Sequence, residues 1–228
     1  MTLPFYVAPE QLMKDRSDYA RKGIARGKPV VSLEFAEGIL FIADNPSTHL
    51  HKVSEIYDRI AFAGVGKYSE FENLRIAGVR LADIRGYSYG REDVTAKSLA
   101  NAYSQALSNV FTQEMKPYEV EILVAQLGDS NDENEMFHIV YDGSVTDREG
   151  FVAMGGEADS LTERLEASYQ GGMDLGDALR AGVAALSEAN EGGLEPSRIE
   201  AAVLDRTRKQ RRKFRRLTGE QVAGHLQG

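Results

Sequence analysis

The sequence predicts an α+β fold of four layers, αββα, in which two packed sheets each carry a pair of helices on the outer face. Three observations point there. The elements read, in order, strands, two helices, strands, two helices, strand, with apolar spacing switching between period two and helical period. The 228 residues show no linker-like break, so they suit one sizeable core. A charged segment precedes the first strand and reads as an extra helix that needs a surface to lie on.

That segment, Pro9 to Arg26, has proline near its first turn and many good helix formers. Its apolar stripe of Leu12, Met13, Tyr19 and Ile24 is narrow, so the helix needs a surface to rest on. Val31, Leu33 and Phe35 then alternate with Ser32 and Glu34, Ala36-Glu37-Gly38 can turn the chain, and Ile39 to Ile42 is continuously apolar. This predicts a hairpin with one strand buried on both faces. A third strand is expected at Asp58–Gly64, followed by helices over Lys67–Ile84 and Asp93–Gln113 with "RGYSYGRED" breaking between them. "YEVEILVAQLG", "MFHIVYDGSV" and "GFVAMGG" read as strands, with turn chemistry at Tyr141-Asp142-Gly143. Helices follow at Ala158–Tyr169 and Leu175–Ala189, the second capped by Asp174, and Ile199–Asp205 reads as a closing strand.

Composition bounds the function. The chain is 42% hydrophobic and 27% charged, the balance of an ordinary globular protein. Its longest apolar run, Ile39–Ala43, is far short of the roughly 18 residues of a membrane span. "MTLPFYVAPEQ" lacks a basic stretch followed by an apolar one, so no secretory signal is expected. With no cysteine there are no disulfides, thiol nucleophiles or thiolate metal sites, and a cytoplasmic location is expected. Arg206 to Arg216 holds eight basic residues and no acidic one; with +8 there and −8 in total, the rest of the chain carries −16. The cluster is expected to pair with acidic surfaces of its own protein or of neighbouring subunits, because so negative a body repels a phosphate backbone. No nucleic-acid or membrane partner is expected.

Three local patterns read blandly. His49-x-His51 lacks a third ligand nearby in sequence. Asp129–Glu135 imitates a calcium loop, but the glycine required at its sixth position is Asn134. "GVGKYS" lacks the spacing of a phosphate-binding loop. No cofactor or metal is expected.

The helix–hairpin entry, "LHKVSEIYDRIAFAGVGKYSEFENL", "KPYEVEILVAQLG", "YDGSV" and "VAMGG" together resemble α-type subunits of the 20S proteasome, of the actinobacterial kind, over about Phe5 to Leu217. Their order and spacing carry the resemblance; each alone is weak. It implies the αββα sandwich of the N-terminal nucleophile hydrolases. In the catalytic β-type relatives a propeptide is removed so that a threonine begins the first strand, its amine serving as base for its own hydroxyl. Here the corresponding place reads Gly27-Lys28-Pro29-Val30, and the only glycine followed by serine or threonine, Gly143-Ser144, sits in an expected turn. The leader is therefore expected to be retained, and the chain to be a non-catalytic subunit. An autonomous N-terminal nucleophile hydrolase is the alternative, which would betray itself by an intact mass below 25.1 kDa.

The resemblance implies a division into a gate segment, residues 1–8, an α-type domain, 9–217, and a C-terminal tail, 218–228. It implies seven copies in an outer ring, stacked on rings of β subunits, with Thr2, Leu3, Pro4, Phe5, Tyr6 and Val7 plugging the pore. Lys52, Gly64 and Gly66 fall where the family receives the C-terminal carboxylate of a docking AAA ATPase ring. The "YDRAIT"-like motif of archaeal and eukaryotic members is absent, so its gate contacts do not carry over. Substrates would be proteins in transit, marked with a prokaryotic ubiquitin-like modifier. Asp44 and Lys52 also correspond to residues that assist the threonine in β-type relatives, and without a nucleophile they read as remnants of common ancestry.

Overall fold

A computed structural model describes residues 8–188 and 193–227. The gate residues expected at Thr2–Val7 lie outside the described residues, as does Ala189, the expected end of the second late helix. The elements run α1 (Pro9–Ala25), β1 (Val30–Phe35), β2 (Gly38–Asp44), β3 (Val53–Tyr57), β4 (Ile60–Gly66), α2 (Tyr68–Ser88) and α3 (Ala96–Gln113). They continue with β5 (Val120–Gln126), β6 (Glu135–Ile139), β7 (Val145–Arg148), β8 (Phe151–Met154), α4 (Ala158–Ser168), α5 (Leu175–Glu188), β9 (Ile199–Asp205), β10 (Phe214–Arg216) and α6 (Gly219–Gln227).

Two five-stranded sheets form, ordered β10-β9-β2-β1-β8 and β3-β4-β5-β6-β7, and every strand pairing is antiparallel. Period-two alternation splits each sheet's side chains between two interiors. Phe41 and Ala202 of the first sheet meet Ala61, Ala63 and Leu123 of the second in an inter-sheet core, joined by Ala20 and Ile24 of α1. Leu33, Leu40 and Ile42 point the other way, onto Leu161 and Leu165 of α4 and Leu179 and Leu186 of α5. Phe62, Ile122 and Val124 turn outward onto Phe71 and Leu74 of α2 and Leu99, Tyr103 and Leu107 of α3. The result is the expected αββα sandwich, with α1 closing one end of its central core. β2 is buried along its whole length, as its unbroken apolar run predicts.

Asp174 caps α5, its Oδ1 accepting from the Asp177 N–H at 2.8 Å. Other boundaries differ for physical reasons. β3 has no clean alternation because the register slips between Glu55 and Tyr57, a bulge that hides the strand from a period-two reading. α2 runs through Gly86 to Ser88 rather than breaking after Ile84. Gly86 lies so close to the Tyr57 hydroxyl that a Cβ there would come within 2.0 Å, so this glycine permits a contact and does not end a helix. Beyond β9 the chain adds an edge strand, β10, and a short helix, α6, whose Val222 and Leu226 pack with Leu217 into the α4–α5 core.

Candidate functional site

The corner where α1 feeds into β1 gathers the residues singled out in the sequence. The Gly27 N–H donates to the Ile24 carbonyl at 2.8 Å, ending α1, and the chain crosses Lys28 and Pro29 into β1. Gly27 passes close over the end of β4: a Cβ on it would stand 2.9 Å from the Gly66 nitrogen. The one hydroxyl on β1, Ser32, donates to the Leu40 carbonyl at 3.0 Å and is buried away from this corner.

Asp44, the last residue of β2, is completely buried. Arg198, in the turn before β9, clamps it: Nε and Nη2 reach Oδ1 at 2.9 and 2.6 Å, and Nη2 also reaches Oδ2 at 2.7 Å. The Lys28 ammonium lies 3.6 Å from Oδ2. This fork-to-carboxylate geometry is what makes a buried ion pair tolerable.

Lys52 enters from the segment before β3, and its ammonium donates to the Lys28 carbonyl. Burial lowers its pKa from 10.5 to about 8; the charges of Asp44 and Glu200 pull it back up, and Lys28 pushes it further down. Burial thus brings this lysine's titration closer to neutral pH, while the neighbouring carboxylates favour its charged form. Gly64 and Gly66 belong to β4 itself. The Gly64 N–H donates to the Lys52 carbonyl at 3.0 Å, so strand pairing joins these two expected site residues directly. Gly66 adopts φ +96° with the Glu119 carbonyl where a Cβ would stand, a conformation and a space that both require glycine.

Glu200 is the residue the sequence reading missed. Its Oε2 accepts from Asn45 Nδ2 at 2.7 Å and the Lys52 N–H at 2.9 Å; its Oε1 accepts from Arg216 at 2.6 Å and the Val53 N–H at 3.2 Å. It thereby fixes the backbone from which Lys52 projects. The available signal was an acidic residue second in an otherwise apolar strand, "IEAAVLD", which says that something charged is held there without saying what.

The basic cluster does pair with the protein's own acids: Arg212 with Glu55 at 2.6 Å, Arg215 with Asp205 at 3.0 Å and Arg216 with Glu200. Arg206 donates to the Ala36 and Gly128 carbonyls, tying the β9–β10 loop to the turns beside it. His51 stands 3.4 Å from Glu200, and among the described residues no group of three or more His, Asp or Glu is placed to hold a metal ion. No described helix is long and apolar enough to cross a membrane.

Comparison with known proteins agrees with this architecture. The description of the proteasome family, "Proteasome subunit", matches residues 24–204. The chain is similar to the "Proteasome subunit alpha" of Kineococcus radiotolerans, 57% identical over all of this chain and 99% of the relative. The protein of that name from Thermomonospora curvata is 58% identical over 97% of this chain and 96% of its own length. That from Acidothermus cellulolyticus is 56% identical over 97% of each chain. With its relatives named as actinobacterial α subunits and the family domain laid over both sheets, this chain belongs to the proteasome subunit family.

Proposed function

We propose that this chain is the non-catalytic structural and gating α subunit of a 20S core particle, working in the cytoplasm. Seven copies form each outer ring, stack on rings of β subunits that hold the proteolytic sites, and control the entry of tagged proteins. The observation that carries the reading is the unbroken passage from α1 through Gly27-Lys28-Pro29 into β1, with no hydroxyl or thiol where the family's nucleophile stands. The remnant pair supports it, since Asp44 is committed to Arg198 and Lys52 to a backbone carbonyl. The division into gate segment 1–8, domain 9–217 and tail 218–228 belongs to the same reading.

Thr2 to Val7 form the gate, and Lys52, Gly64 and Gly66 receive the C-terminal carboxylate of an AAA ATPase ring. The two glycines keep the wall low where a side chain could not fit, and the lysine supplies a compact charge. Docking opens the gate by binding better to the displaced state of the N-terminal segment than to the closed one.

The test uses particles reconstituted with β subunits. Deleting Thr2–Val7 is expected to raise hydrolysis of small peptides while assembly is preserved; an unchanged rate in an intact barrel removes the gate assignment. Lys52→Ala is expected to abolish ATPase-stimulated degradation with the barrel intact, and normal stimulation removes Lys52 from the docking site.

A further inference from the structure

The two lateral edges of the sandwich carry opposite charge. At one edge stand β3 and β10, crossed by the β9–β10 loop. Arg212 of that loop pairs with Glu55 of β3, and the Lys213 N–H donates to the Asp58 carbonyl at 2.7 Å, so the loop is pinned over this edge. Its Lys209 and Arg211 are exposed and make no hydrogen bond or close ion pair among the described residues. They overhang a cleft of about 380 Å³ whose further walls include Arg59, Arg91 and Tyr57. Of the two acids that line it, Asp58 and Glu92, the first is already engaged by Arg91 at 2.5 and 2.8 Å, and five cations face them. The net field here is positive in a protein of charge −8.

The other edge is formed by β7 and β8, joined through Glu149 and Gly150. All four residues of β7 are exposed, which leaves an open sheet edge of the kind that invites a partner. Beside it lies a cleft of about 350 Å³ lined by Asp147, Glu149 and Glu166, with Arg148 its one cation. None of these three carboxylates makes a close ion pair among the described residues, and burial has already raised the pKa of nearby Glu34, with Glu149 adding repulsion. Acids outnumber the one cation, Arg148, in this cleft, as cations outnumber the two acids in the first.

We infer that the two edges are halves of one contact between copies of this chain, the β9–β10 loop of one copy, with Lys209 and Arg211, seated against Asp147, Glu149 and Glu166 of the next. A contact that uses two different patches is head-to-tail, and it closes into a ring when its rotation divides the circle. Complementary charge fixes the register and direction of such a contact and penalises the edge-to-like-edge alternatives. It also accounts for a dense basic run on an acidic protein. The inference rests on the ring-forming reading above and names the surfaces by which that ring would close.

The test compares four full-length chains, each produced with β subunits and examined by native mass spectrometry and sedimentation: unaltered, Lys209→Glu with Arg211→Glu, Asp147→Lys with Glu149→Lys and Glu166→Lys, and all five together. Each single-edge set is expected to lower the ring-assembled fraction about tenfold or more, and the five-fold variant to recover it, because charges swapped on both edges attract again. Recovery also shows that the separate losses were not misfolding. A single-edge variant that assembles like the unaltered chain overturns the inference while leaving the ring reading intact, and so does a five-fold variant that stays dispersed. If the unaltered chain forms no ring, the subunit reading itself fails and this inference falls with it.

Discussion

The two ends of the first sheet treat charge in opposite ways. At the α1 end, Asp44 is buried and Glu200 half-buried, and both are matched, the first by a forked arginine and the second by two side-chain donors and two backbone N–H groups. At the other end, beyond the β1–β2 turn, the β9–β10 loop exposes lysine and arginine, and two of its cations have no close partner among the described residues. Charge that is internally matched fixes backbone and contributes to stability; charge left unmatched at a surface is free for association. One sequence thus uses ionic groups as internal rivets at one end and leaves some of them exposed and unmatched at the other.

The sharpest way to break this comparison is at Asp44. Asp44→Asn places an amide donor against the Arg198 guanidinium at a position where the side chain itself is fully buried. A loss of about 3 kcal/mol is expected in urea unfolding, in line with breaking one partner of a buried pair. A loss within experimental scatter would mean that the clamp contributes no more than surface pairs do.

A second effect concerns Lys52, whose pKa burial brings from 10.5 down to about 8. Because the folded amine holds its proton less tightly than the unfolded one, the cost to stability is full below about pH 8 and is relieved as pH rises from there toward 10.5. Docking of a carboxylate runs the other way. It favours the charged amine, so ATPase-stimulated degradation should weaken as pH climbs through about 8, and Lys52→Arg should flatten that profile by keeping its charge. A flat profile in the unaltered particle from pH about 7 to about 9 detaches this amine from docking.

The smallest expected effect is at Arg212→Ala. Its pair with Glu55 is 2.6 Å long but the arginine is 65% exposed, so about 0.5 kcal/mol or less of stability should be lost. A loss approaching that of Asp44→Asn would erase the distinction between the two ends.

Much of this was legible in the sequence where the signal is local. The β1–β2 hairpin, the Asp174 cap and the span of β9 follow from alternation, apolar runs and capping chemistry, which neighbours a few residues apart decide. β3 was not legible, because a bulge destroys the alternation that announces a strand. Gly86 misled in the other direction: its reason for being glycine is the Tyr57 hydroxyl, a residue 29 positions away that the sequence does not mark as a neighbour. In the candidate site, Lys52 and the two glycines were singled out through resemblance. Glu200 was not found, because its four donors come from three separate segments that only the stacked strands bring together.

By itself, then, the sequence determined the layer order, the helical leader before β1 and the lack of a nucleophile there, since these depend on residue type and on periodicity along the chain. Tertiary structure decided which charges are used up and which are left over. Whether Asp44 meets Arg198, Glu200 meets Lys52, or Lys209 meets no acid among the described residues is a matter of strand register and of which loops fall side by side, and Coulomb interactions act through that proximity in space rather than along the chain.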